Sequence, residues 1–105
     1  MKPLSLNKDL ERVAGRTVWF KTPRDAVADP VHFVAHVLTY GTHEDVQILR
    51  RYVSDEDLAE AIRNAPPGVF DGRSWAYWNL KTGRYPAPPM PKRRFEESPR
   101  QNRSG

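Results

Sequence analysis

The chain has 105 residues, 38% of them apolar and 29% charged, with ten prolines and no cysteine, a composition that suits one small domain with a locally extended segment. The lack of cysteine excludes disulfides, thiolate metal sites and cysteine nucleophiles. With no secretory apolar run and none near the ~18 residues of a membrane span, a cytoplasmic protein is expected. The net charge of +4 sits at one end: residues 84–105 carry Arg84, Lys92, Arg93, Arg94, Arg100 and Arg103 against Glu96 and Glu97, while residues 1–83 hold eleven charges of each sign.

Residues 1–17 read as an N-terminal arm, with a short helix over 5–14 ending at Gly15. "TVWF" at 17–20 is β-branched and aromatic, which predicts an extended anchor whose Trp19 and Phe20 plug a helical core. In "DPVHFVAHVLTYG", Asp29 is a natural N-cap and Pro30 suits the first helical position, while Gly41 fits a left-handed C-terminal cap. Its Val31, Phe33, Val34, Ala35, Val37, Leu38 and Tyr40 cover one broad side, leaving His32, His36 and Thr39 on a polar one. "THEDVQILRRYV" is capped by Thr42 with Asp45 three residues on, burying Val46, Leu49 and Val53 and exposing Gln47, Arg50 and Arg51.

"SDEDLAEAIRNA" starts at Ser54 with Asp55, Glu56 and Asp57 in its first turn, where the helix dipole favours negative charge, and packs through Leu58, Ala61, Ile62 and Ala65. Pro67 and Gly68 suit the centre of a type II turn, and Asp71 caps a last helix running to Gly83. On that helix Trp75 and Trp78 are neighbours, with Ala76 and Leu80 on an adjoining flank, Tyr77 beyond them, and Ser74 and Lys81 on the wet side. A helix apolar over so much of its circumference either lies central in a bundle or lends one flank to a partner, and partial exposure of the tryptophans is the sharper expectation. "RYPAPPMPKRR" cannot be helix or central strand, because each proline lacks an amide donor; it predicts a polyproline II arm that folds back over the tryptophan helix or reaches into another protein. Pro88, Pro91 and Arg93 also have the spacing of SH3-domain ligands, a frequent match in proline-rich chains. The sum is an all-α protein: a small four- to five-helix bundle over residues 18–83, with an extended aromatic anchor before it and a proline-rich basic tail over 84–105.

Chemistry is harder to find. His32 and His36 stand four apart with His43 just beyond, yet the pair lacks the glutamate of a zinc-protease helix, and no metal or other cofactor is expected. The carboxylates are explained by helix capping, the serines lack an activating neighbourhood and no glycine-rich phosphate loop is present, so no enzyme is expected. The interaction residues are taken to be Trp75, Tyr77 and Trp78 on the last helix, and Arg84, Tyr85, Pro88, Pro89, Met90, Lys92, Arg93 and Arg94 on the arm. A competing reading is a nucleic-acid regulator whose basic tail holds phosphates while Tyr85 and Phe95 stack on bases. The helix pair joined at residues 41–42 suggests a helix-turn-helix, but Gln47, Arg50 and Arg51 beside two acids are poor chemistry for a major groove.

"VWFKTPRDAVADPVHFVAHVLTYGTHEDVQILRRYVSDEDLAEAI" followed by "FDGRSWAYWNLKTG" resembles a family of small bacterial helical domains encoded beside nucleotidyltransferase toxins of the abortive-infection, AbiEii-like type. The resemblance covers roughly residues 18–83 through Trp19, Tyr40, Gly41, Arg73, Ser74, Tyr77 and Trp78, and carries no catalytic residues. It implies an antitoxin or accessory subunit that neutralises its toxin by direct binding.

Overall fold

One side chain ahead of each helix sets where the helices of the computed structural model begin. The structure describes Met1 and residues 4–91. Asn7 accepts a hydrogen bond from the Leu10 amide and starts α1 (Lys8–Thr17); Thr22 accepts from Asp25 and starts α2 (Pro23–Ala28). Asp29 starts α3 (Pro30–Tyr40), with Pro30 in the first turn. Thr42 and Ser54 start α4 (His43–Leu49) and α5 (Asp55–Arg63) with full capping boxes, the carboxylates of Asp45 and Asp57 reaching back to the cap amides. Asp71 accepts from Ser74 at 2.7 Å and starts α6 (Gly72–Lys81). Each cap satisfies an amide the helix cannot, worth about 1 kcal/mol.

The described residues are all-helical, with six helices where four or five were expected. The additional one is α2, a short helix with the Thr-Pro start that the sequence displays at 22–23; its last amide bond, from Asp29 to Ala26 at 3.3 Å, leaves Asp29 free to cap α3 at once. Among the described residues no helix is long and apolar enough to cross a membrane.

α3 lies at the centre and packs against each of the other five helices. Phe33, Val34, Ala35 and Val37 are fully enclosed, and they meet Leu10 and Val13 of α1, Leu49 of α4 and Ile62 of α5 in one core. α1 and α4 also pack together, as do α5 and α6.

Four expectations need correction. α1 does not stop at Gly15 but runs to Thr17, because Leu10, Val13, Ala14 and Thr17 form a continuous buried face and Gly15 lies on the outer side, where a Cβ would meet nothing. Gly41 is not left-handed: its φ is −76°. Glycine is required there by close approach, since a Cβ would lie 2.6 Å from the Val37 carbonyl oxygen and 3.1 Å from the Asp45 side chain, where α3 hands over to α4. α4 ends at Leu49 rather than running on to Val53; tight bonds from Arg51 to Ile48 and from Tyr52 to Leu49 turn the chain, and Val53 is still buried. The aromatic anchor does not form either: Thr17 belongs to α1, Val18 is buried, and Trp19 and Phe20 turn outward. The Pro67–Gly68 turn holds as expected, with Gly68 at φ 82°.

Candidate functional site

The tryptophans of α6 are core. Trp75 and Trp78 are 6% and 8% exposed, which overturns their expected partial exposure. An indole tolerates burial when its N–H finds an acceptor. Trp78 Nε1 donates to the Leu38 carbonyl at 2.9 Å, tying α6 to α3, and Trp75 Nε1 donates to the Pro88 carbonyl at 2.7 Å while its ring packs edge-on to Phe70. Asn79 is also fully buried, its Nδ2 donating to the Trp75 carbonyl. The outer face of α6 belongs to Ala76, Tyr77 and Leu80, with the Lys81 ammonium 6.0 Å from the Tyr77 ring; Ser74, expected on the wet side, is half-buried.

The same Pro88 bond shows what the first part of the proline arm does. It folds back: Gly83, at φ 90°, turns the chain, the Arg84 amide donates to the Asn79 carbonyl at 2.7 Å, and Ala87 and Met90 pack against the core. Tyr85, at 80% exposure, and Pro89 point outward. The structure thus places Tyr77 and Tyr85 outside, Arg84, Pro88 and Met90 partly inside, and Trp75 and Trp78 in the core. Lys92, Arg93, Arg94 and Phe95 lie outside the described residues.

Beside α6 runs a groove of about 510 Å³ lined by Arg50, Asp55, Glu56, Leu58, Trp78 and Lys81, next to one of about 300 Å³ that adds His43, Gln47 and Tyr77. Its charges are mixed, and Arg50 is paired with Asp55 at 3.0 Å.

A second surface was not anticipated. Arg16, Thr17, Trp19, Phe20, His36 and Tyr40 line a groove of about 300 Å³ between the end of α1 and the end of α3. Trp19 is 77% exposed, and Phe20 and Tyr40 are more than half exposed. Edge contacts link Trp19 to Phe20 at 5.6 Å and Phe20 to His36 at 5.4 Å, and the His36 ring lies 5.6 Å from Tyr40 and 4.2 Å from His32. His36 is therefore buried rather than solvated, because Phe20 covers it and its Nδ1 bonds the His32 carbonyl at 3.3 Å. Burial lowers the pKa of both histidines; the nearby Lys21 charge lowers both further, and His36 also lowers that of His32.

One wall of this groove is set by an ion pair. Both Nε and Nη2 of Arg16 donate to Oδ1 of Asp45, whose other oxygen accepts from the Thr42 amide. Burial pushes the Asp45 carboxyl up, but the bonds from Arg16 and Thr42 outweigh it and hold the group below the usual carboxylate range. The capping box of α4 thereby becomes the seat of a cation on α1.

The signal for this surface was present in the register of α1. At about 100° per residue, Leu10, Val13, Ala14, Thr17 and Val18 share one side and Trp19 falls opposite them. An aromatic pair after a glycine is ordinarily core, and that general tendency hid the register. Among the described residues no three metal-ligating side chains come together. Comparison with protein-family models, with curated proteins and with solved structures found no match.

Proposed function

We propose that this chain is a non-enzymatic protein-binding module, the antitoxin or accessory subunit of a bacterial toxin–antitoxin pair, acting by direct binding to a nucleotidyltransferase-type toxin. The observation that carries the reading is the seat of the proline arm on α6. Two hydrogen bonds, from Arg84 to Asn79 and from Trp75 to Pro88, hold its root against the body. Tyr77, Leu80 and Tyr85 stay exposed, and Lys92, Arg93 and Arg94 follow at once in the sequence. A cationic segment launched from an anchored root reaches an acidic, metal-binding cleft at a lower ordering cost than a wholly free tail. Aromatic side chains outside the core are the types enriched where proteins dock.

The nucleic-acid reading has Tyr85 in its favour, exposed beside the basic tail. Against it, both outward cations after α4 face carboxylates, Arg50 at 3.0 Å from Asp55 and Arg51 at 3.9 Å from Asp9.

Truncation after Pro91 tests the proposal. Removing the basic segment while keeping the packed root is expected to weaken neutralisation of a co-expressed toxin from the neighbouring gene by about a hundredfold, in line with the loss of several interfacial charges. Equal protection by the truncated and full chains refutes the arm's role. Failure of the full chain to co-purify with that toxin refutes the reading as a whole.

A further inference from the structure

We infer that the groove between the ends of α1 and α3 is a second docking site, one that takes a partner segment carrying an acidic side chain next to an aromatic or aliphatic one. The inference rests on the protein-binding reading above and says where, and by what chemistry, a partner is held away from the arm.

Arg16 is the polar anchor of the groove. A guanidinium presents five N–H donors in a rigid plane. Two of its nitrogens are committed to Asp45, whose carboxylate is buried. Among the described residues Nη1 makes no hydrogen bond, and the side chain is 43% exposed where it lines the groove. Arg16 is thus oriented by a fixed carboxylate and still has donors to offer, the condition under which an arginine recognises a second anion with little entropy left to lose.

The rest of the groove suits the neighbour of that anion. Trp19, Phe20 and Tyr40 give it three aromatic walls, and its volume of about 300 Å³ holds a side chain or two. No carboxylate lines it, although Glu44 and the buried Asp45 both act on Arg16 from outside. Beside the histidines Lys21 contributes a positive charge and Asp29 an opposing negative one. An occupant with one acidic group, met by the unused donors of Arg16, and an apolar side chain, met by the rings, is complementary on both counts.

Other occupants fit less well. The chain's own segment after Pro91 is cationic at Lys92, Arg93 and Arg94 and would meet like charge. A single-stranded nucleic acid could stack on the rings but wants a row of cations to follow its phosphates, and residues 1–83 carry equal numbers of each sign. A second copy could offer Asp55 from α5, but that carboxylate is already paired with Arg50 at 3.0 Å.

The test is selection from a phage-displayed random peptide library on the full chain, repeated on Trp19→Ala and Tyr40→Ala. Both variants change exposed side chains, so the fold is expected to survive, and unchanged thermal unfolding confirms that. The selected peptides are expected to carry Asp or Glu beside an aromatic or aliphatic residue. A synthetic copy of the leading peptide should lose about tenfold in affinity for either variant, and about tenfold when its acid is replaced by the amide. The last measurement probes Arg16 without mutating it, because its loss would also strip Asp45 of its partner. Basic or purely apolar selected peptides, equal binding to the variants, or no selection at all overturns the inference. Tighter binding of oligothymidylate that Trp19→Ala abolishes, or self-association that the same variant abolishes, overturns the choice of occupant. If the variants and the wild-type chain co-purify equally with the neighbouring toxin while the peptides fail, the groove is refuted and the protein-binding reading stands.

Discussion

Asp45 does three jobs with two oxygens. One oxygen closes the capping box of α4 on Thr42; the other takes both Arg16 bonds, so an acid on α4 positions a cation on α1 and shapes the wall of the aromatic groove. His36 shows the opposite case, a polar ring enclosed because Phe20 lies over it and its Nδ1 bonds the His32 carbonyl. The two have different consequences for pH. A histidine whose folded-state pKa lies below its ordinary 6.5 stays neutral in the fold, while the unfolded chain takes up the proton. Stability is therefore full above that value and falls as pH drops below it. Asp45, held below the ordinary 3.8, keeps its contribution until the pH is more acid still. The urea midpoint of the wild-type chain is expected to drop between about pH 7.5 and about pH 5.5, and His36→Gln to reduce that drop. Equal drops in the two proteins would show that the buried imidazole is not the group responsible.

At the scale of elements, four helix starts were legible, whereas the start of α1 at Asn7, the whole of α2 and the ends of α1 and α4 were not. Asp29, Thr42, Ser54 and Asp71 act through side chains that bond within three residues, so local sequence suffices to place them. The ends of α1 and α4 depend on what lies across the bundle: Thr17 and Val18 are drawn inward past Gly15, and Val53 is buried through a turn rather than another helical one. The proline arm belongs to the same class of decision. Its prolines exclude helix, but the Trp75 N–H, the Asn79 carbonyl and the core beneath Ala87 and Met90 determine that its first part lies back on α6. A chain stopped after Gly83 uncovers Trp75 and loses the Arg84 bond and the packing of Ala87 and Met90, at an expected cost of about 2 kcal/mol in chemical denaturation. A chain stopped after Pro91 should match the full-length protein. Equal stability of both truncations would mean that the arm's root contributes nothing to the body.

For the whole molecule, the central fact is that α3 touches every other helix. Phe33 is its largest fully enclosed side chain, and Phe33→Ala is expected to cost about 3–5 kcal/mol, enough to unfold much of a domain of this size near physiological temperature. A loss below about 1 kcal/mol would show that the core closes over the gap. The helical pattern of α3 promised solvent at His36, but Phe20, from the turn after α1, lies over that side of the helix and the ring is buried. By itself the sequence determined the all-α class, the caps at Asp29, Thr42, Ser54 and Asp71, the turn at Gly68 and the placing of the excess charge from Arg84 onward, because these follow from a residue and its near neighbours. Only the tertiary structure decided which aromatics face water. Trp75 and Trp78 find acceptors on Pro88 and Leu38 and go inside, whereas Trp19 and Phe20 follow a helix face that Val18 has already completed and are left outside. The register of α1 turns Trp19 away from the buried face, but whether anything covers a ring depends on acceptors and space contributed by segments far away in the chain.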